Sequence, residues 1–300
     1  MMDRTAVYVT WTMDCEDLDQ ESPTGGPAAW ELSARAMTGY VQTLTERGHA
    51  VTLFLIPRVA EVQAGLLADL RDAGADMGMH MHPQNRDIGI DDYLGRLSRQ
   101  DEEQLLRAGR DRITGALGEA PVSFRAGNFS GSDDTHPVLA SLGFVADSTP
   151  LPGRVMPDLG AQWHGAEPFA HRASATDRLS AGELPLLVCP TAVDLRDVSA
   201  EGAVPREARH LRLERPGICE WGPEIVAAHL GRQVELDLPL KSLVVMTHNV
   251  RDYADSAEPA REGLEAVLAA VQAVSADLGL AVRGITLAEL ARVALAEKAC

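Results

Sequence analysis

Aromatic rings, paired cysteines, positive charge and long apolar runs are all scarce in this sequence, and each scarcity excludes a class of protein. Phe, Trp and Tyr together make up 4% of the 300 residues, few for a surface that recognises carbohydrate by stacking rings. The four cysteines, Cys15, Cys189, Cys219 and Cys300, stand far apart with no C-x-x-C pair. That usage argues against a disulfide scaffold or a cysteine zinc site and fits a reducing compartment, so the cytoplasm is the expected location. Apolar runs such as Leu53 to Pro57 and Leu243 to Met246 fall well below the ~18 to 20 residues of a membrane helix. The apolar stretch near the N-terminus meets Asp14, Glu16 and Asp17 too early to serve as a signal-peptide core. Lys and Arg number 27 against 44 Asp and Glu, a net charge of −17, which repels phosphate backbones and anionic headgroups. Nucleic acid and membrane surfaces are therefore poor partners, while the oligomeric state stays open.

What is present, 45% apolar and 24% charged residues, is the composition of a globular chain able to bury a core without staples. From Val7 to Glu16 the residues alternate: Val7, Val9, Trp11, Met13 and Cys15 share one face, Tyr8, Thr10, Thr12, Asp14 and Glu16 the other, which predicts a first strand. Helical spacing follows over Ala28 to Arg47, ending at Gly48, then a strand over Val51 to Ile56, a helix over Val59 to Ala73 and a strand over Ala75 to His82. Alternating β and α segments predict parallel pairing with crossover helices. The pattern continues with a helix over Glu102 to Leu117, a strand at Val122 to Ala126, a helix near Pro137 to Leu142 and a strand at Phe144 to Asp147. It loosens at about 148–182 and 194–221, rich in Pro, Gly and charge, around a short strand at Leu184 to Cys189. Regular elements return with a helix near Pro223 to Leu230, a strand at Ser242 to Thr247, a helix over Pro259 to Ala276, a strand at Ala281 to Arg283 and a helix over Leu287 to Ala296. The expectation is one α/β domain over residues 1–300, a closed or partly closed barrel with two loop-rich insertions.

Several predicted strands end in groups that bind metals or move protons: Asp14-Cys15-Glu16, His80-Met81-His82, Arg125-Ala126-Gly127-Asn128 and His248-Asn249. In parallel α/β architectures these C-terminal ends open onto one face, where active sites collect. His80 and His82, at i and i+2 of a strand, project the same way. Asp14 and Glu16 also share a face, so two imidazoles and one carboxylate can hold a divalent cation with a position left for water, the usual layout of catalytic zinc.

These residues resemble the motifs of the polysaccharide deacetylases of the NodB-homology type, carbohydrate esterase family 4, in the expected order from Val7 to His248. Thr12-Met13-Asp14-Cys15-Glu16 is similar to the family's T-F-D-D motif in a D-x-E form, Thr52-Leu53-Phe54-Leu55 to its T-F-F strand, and Phe124-Arg125-Ala126-Gly127 to its R-x-P-x-G motif. Ala73 to His80 stands where the family writes A-x-G-H-E-I-G-x-H, and Val245 to His248 resembles its last motif. Two departures accompany the likeness. The family's second histidine lies four residues after the first, where this chain has Gln84, so His82 must substitute; and the third motif lacks its proline. Asp147 or Trp163 are the candidates for the family's Asp and Trp motif.

The resemblance implies a distorted (β/α) barrel and a metal-dependent hydrolase that removes an N-acetyl or similar N-acyl group from an amino sugar or glycoside. It assigns Glu16, His80 and His82 as metal ligands, Asp14 as catalytic base, Arg125 as the group that orients it and His248 as general acid. Zinc is the implied ion, with cobalt, nickel or manganese as alternatives. Competing readings are hydrolysis of another C–N bond, as in a formamide, cyclic amide or ureide, and a non-catalytic carbohydrate-binding member of the same fold. The acidic chain favours a small intracellular substrate over an insoluble polymer.

Overall fold

The structure, a computed structural model, describes residues 2–21, 25–199 and 205–296; Cys300, part of the loop after the first strand and the centre of the second insertion lie outside the described residues. Eleven strands are formed among the described residues: β1 (Ala6–Cys15), β2 (Val51–Leu55), β3 (Ala75–Met81), β4 (Ser123–Ala126), β5 (Ala146–Asp147), β6 (Val155–Met156), β7 (Ala161–Gln162), β8 (His171–Arg172), β9 (Leu187–Val188), β10 (Lys241–His248) and β11 (Ala281–Gly284). Nine of them make one sheet in the order β10-β1-β2-β3-β4-β5-β9-β8, with β11 also on β1. All neighbours in it run parallel except β8 and β9. The helices are α1 (Trp30–Thr45), α2 (Pro57–Val62), α3 (Ala64–Asp72), α4 (Arg99–Leu117), α5 (Thr135–Ser141), α6 (Leu195–Val198), α7 (Ile218–Glu235), α8 (Pro259–Asp277) and α9 (Leu287–Ala296). The result is a curled half-barrel rather than a closed one.

The alternation along β1 decides what lies on either side of the sheet. Val7, Val9, Trp11, Met13 and Cys15 join Met37, Tyr40, Val41 and Leu44 of α1 in the larger core. The opposite face starts apolar, with Ala6 and Tyr8 packed among Phe54, Leu187, Val244 and the α9 residues Leu287, Leu290 and Ala291. Because these are residues from the beginnings of β1 and β10, α9 plugs the N-terminal end of the half-barrel. The same face then turns polar: the Thr12 hydroxyl donates to the Val245 carbonyl at 2.8 Å, and Asp14 follows. Register aligns Asp14 with His248 across β1 and β10, Asp14 with Phe54 across β1 and β2, and His80 with Arg125 across β3 and β4. The chemistry-bearing strand ends thus sit at one height.

Three local expectations are corrected. The helix over Val59 to Ala73 is two helices, because Gln63 (φ −111°, ψ 23°) interrupts the helical path between α2 and α3. The helix read as starting at Pro223 starts at Ile218, after Gly217 in the left-handed region (φ 84°), and Pro223 lies inside it, without the amide that would bond the Cys219 carbonyl. The second insertion and the residues just before it also contribute to the sheet region: the Ala192 amide donates to the Val244 carbonyl at 3.1 Å, and the Met246 amide to the Leu211 carbonyl at 2.9 Å. Residues 192 and 210–213 therefore cover the outer edge of β10, whose peptide groups would otherwise stand open to pairing with another chain.

If α9 closes the half-barrel floor, truncating its fully buried Leu290 removes core volume that the strand ends cannot refill. Leu290→Ala should lower the unfolding free energy by about 2–5 kcal/mol in urea denaturation; a loss below about 1 kcal/mol would contradict the plug.

Candidate active site

Strand geometry delivers the acid pair first. Asp14, next to last in β1, has its carboxylate buried, and its Oδ1 accepts a hydrogen bond from Arg125 Nη1 at 2.6 Å. Arg125 is wholly buried and donates its other nitrogens to the Ser148 carbonyl (3.2 Å) and hydroxyl (2.9 Å), and its guanidinium lies 4.5 Å from the centre of the Phe54 ring. Burial pushes the Asp14 carboxyl up, but the charges of Arg125, His80 and His248 outweigh it and hold the pKa below the usual value of 3.8. Asp14 is therefore an anion with one oxygen committed to Arg125. Its other oxygen, Oδ2, lies 3.9 Å from His248 Nε2.

Glu16, one residue beyond β1, reaches both histidines. Its Oε1 stands 3.3 Å from His80 Nε2 and 3.0 Å from His82 Nε2. Asn249 fixes the peptide that carries it: the Glu16 amide donates to Asn249 Oδ1 at 2.9 Å, and Asn249 Nδ2 donates to the Glu16 carbonyl at 3.0 Å. Room for His82 comes from Gly127, where a Cβ would fall 2.3 Å from the imidazole ring. Glycine is thus required there by the histidine rather than by its own backbone.

The donor set fits a divalent cation. His80 Nδ1 faces the Arg125 carbonyl at 2.8 Å, an acceptor only, so in the neutral ring Nδ1 carries the hydrogen and Nε2 presents a lone pair to Glu16. A lone pair opposite a carboxylate requires a proton or a cation between them. Burial lowers the basicity of His80, yet Asp14 and Glu16 raise its pKa above 6.5, which is the mark of a site that attracts positive charge. The three ligand atoms all lie within 4.8 Å of one another, and tetrahedral ligands at ~2.0–2.2 Å from zinc stand ~3.3–3.6 Å apart. Asp14, Glu16, His80, His82 and His248 line one cavity of about 270 Å³, with Arg125 beneath Asp14. Gln84 is not among the residues that line it, and its buried amide finds no hydrogen-bond partner. Neither Asp147 nor Trp163 lines it either. Asp147 accepts from Thr149 at 2.5 Å and meets His136 at 3.2 Å, while Trp163 donates to the Phe129 carbonyl at 2.7 Å. That bond braces a turn in which Asn128 (φ 56°) and Phe129 (φ 55°) both occupy the left-handed region, a strained conformation for an aromatic residue and one found at functional sites.

Sequence reasoning missed Glu214. Arg212 pairs beside Met246 of β10, and Glu214, two residues on, meets His248: Nδ1 and Oε1 are 2.7 Å apart. The same carboxylate accepts from Arg212 Nε at 2.6 Å and from the Thr247 hydroxyl at 2.7 Å. The missed signal was short: Leu211-Arg212-Leu213-Glu214 alternates like a strand inside a stretch otherwise rich in charge and proline. With Nδ1 bound to a carboxylate, His248 keeps a hydrogen there and aims Nε2 at Asp14.

The sequence pattern of the family described as "Polysaccharide deacetylase" matches residues 27–146. No curated protein matches the chain. Among solved structures, a glycoside hydrolase/deacetylase candidate from Parabacteroides distasonis is similar with a TM-score of 0.64 at 12% identity, covering 98% of this chain and 72% of that one. A polysaccharide deacetylase candidate from Mycobacterium smegmatis gives a TM-score of 0.57 at 18% identity, covering 99% and 92%. PuuE allantoinase gives 0.56 at 13%, covering 96% and 90%. At these identities the likeness is one of fold.

Two outcomes test the site. Gly127→Ala should displace His82 and weaken Zn²⁺ affinity by about 10–100-fold in a chelator competition assay, with the circular dichroism spectrum unchanged. Burial raises the Glu214 pKa, but Arg212, His248 and Thr247 hold it far below 4.5. A carboxylate depressed in the fold stabilises the protein above its unfolded pKa and loses that contribution as pH falls. Wild-type stability should therefore drop as pH falls below about 4.5, and Glu214→Gln should flatten this part of the profile in denaturation measured from pH 6 down to 3.

Proposed function

We propose that this chain, whose residues 27–146 carry the pattern of the polysaccharide deacetylase family, is a metal-dependent N-deacetylase acting on an amino sugar or glycoside. The observation that carries the reading is the convergence of Glu16, His80 and His82 on one point, beside an Asp14 carboxylate held by Arg125 and faced by His248.

Glu16, His80 and His82 would hold the ion, zinc being the first choice for a two-imidazole, one-carboxylate set; when bound, such an ion polarises an amide carbonyl and makes water more acidic. The remaining chemistry belongs to side chains. Asp14 receives the proton of the attacking water at Oδ2, since Oδ1 is committed to Arg125. Arg125 keeps the carboxylate ionised and aimed, and Ser148 keeps Arg125 from swinging away. His248 delivers a proton from Nε2 to the departing amine nitrogen while Glu214 stabilises the charged imidazolium from Nδ1.

A cavity of about 270 Å³ is close to the lower end of ligand sites, ~300–1,000 Å³, which supports a small substrate. Cys15, Cys189 and Cys219 are unpaired, in keeping with a reducing, cytoplasmic setting. No helix among the described residues is long and apolar enough to cross a membrane. The likeness in fold to an allantoinase keeps ureide hydrolysis as the second reading, so a cyclic ureide belongs in the same substrate screen.

The test pairs metal content with turnover. Wild-type protein should bind about one equivalent of divalent metal and release acetate from N-acetylated sugars. Asp14→Asn should retain the metal and lose about 10²–10⁴-fold in kcat, whereas His80→Ala should lose both. Full activity in Asp14→Asn would refute the mechanism, and unchanged metal affinity in His82→Ala would give that ligand position to another group.

A further inference from the structure

We propose that the cleft contains an oxyanion subsite, formed by Arg154, Arg212 and Arg215, so that the amino sugar it takes carries a carboxylate or a phosphate. This deepens the deacetylase reading and rests on it. All three arginines line the cavity that holds Asp14, Glu16 and His248. They come from the two loop-rich insertions, which the structure joins: Val155 and Arg206 exchange two backbone hydrogen bonds of 2.9 Å. That ladder sets Arg154 beside Glu207, and the pairing of Arg212 with Met246 carries the second insertion along β10 towards His248.

The cations outnumber the anions that hold them. Arg154 Nη1 and Arg215 Nη2 share Glu207, at 2.7 and 3.0 Å. Arg212 Nε bonds Glu214 at 2.6 Å, and Glu214 also serves His248 and Thr247. Three guanidiniums thus divide two carboxylates, and among the described residues each engages a carboxylate through a single nitrogen although a guanidinium offers five N–H donors. Arg154 is only 6% exposed, and its Nε is buried with no hydrogen-bond partner. Its position is fixed by the Phe129 ring, 5.3 Å from its guanidinium carbon. Burial above all lowers its pKa below 12.5; Glu207 opposes the shift, and the charges of Arg212 and Arg215 add to it. In a chain of net charge −17, three arginines on one wall of the cleft crowd around two carboxylates. The other carboxylates of the cleft are engaged elsewhere: Asp14 is paired with Arg125, and Glu16 faces the two imidazoles of the ligand cluster. Arginine forks match the paired oxygens of carboxylate and phosphate, which names the chemistry of the missing partner.

Deacetylation products report the subsite without requiring turnover. Calorimetric titration of the metal-loaded protein with glucosamine, glucosamine 6-phosphate and muramic acid should show at least one anionic sugar binding about tenfold or more tighter than glucosamine at ~50 mM salt, with the advantage shrinking at ~500 mM. Tighter binding of only the phosphate or only the carboxylate identifies the anion. Arg215→Met, at a half-exposed position that the fold tolerates, should reduce the anionic advantage several-fold, and Arg154→Met with Arg215→Met should abolish it. Equal affinity for all three sugars, or no measurable binding of either anionic one, overturns the subsite. An anionic preference without release of acetate from any N-acetylated sugar would sink the deacetylase reading instead; acetate release with no anionic preference would sink the subsite alone.

Discussion

A buried ion pair anchors the cleft. Arg125 and Asp14, 2.6 Å apart and both removed from water, come from strands β4 and β1, which are not neighbours in the sheet. Neither charge is affordable without the other, since an uncompensated buried charge costs about 3–5 kcal/mol. Their bond therefore ties together two strand ends that the ladder does not join directly. Phe54, on the intervening β2, supplies the ring against which the guanidinium lies, and Gly78 on β3 leaves space for that ring, since a Cβ there would come within 2.6 Å of it. One interaction thus sets side-chain choices on four consecutive strands of the curl.

What could be read from the sequence was what repeats or ends a pattern. The two-residue alternation of β1 assigns both of its faces, and the i, i+2 spacing of His80 and His82 places two imidazoles side by side; in the structure both meet Glu16. The parallel order was legible because apolar strand runs alternate with helical spacing. Gln63 was not, since a single dihedral change inside an amphipathic run leaves no mark on hydrophobic period. Glu214 and the role of Asn249 were hidden for a different reason. Each acts by pairing with something distant in sequence, Glu214 with His248 and Asn249 with the Glu16 peptide, and no local period announces such a partnership. The arginines of the insertions were hidden likewise: 148–182 and 194–221 read as loops, and only their mutual ladder shows that they form a wall.

The polarity gradient along the inner face of β1 also explains why a plug and a reactive cleft can coexist in one small half-barrel. Tyr8 meets the apolar side of α9, Thr10 and Thr12 turn their hydroxyls to the carbonyls of β10, and Asp14 reaches the mouth. Dry packing at one end and charge at the other are separated by two layers of short side chains whose hydrogen bonds are satisfied locally. The titratable groups are thereby kept out of the apolar floor, and water has no polar trail leading down to α9.

The segment that hugs the outer edge of β10 has a consequence for how this scaffold can diversify. The same few residues seal a sheet border, present Arg212 to the cleft and seat the carboxylate behind His248. Replacing that ribbon to suit a new ligand would disturb proton delivery and leave a strand border exposed to self-association. Ligand preference on this side is therefore locked to turnover and solubility.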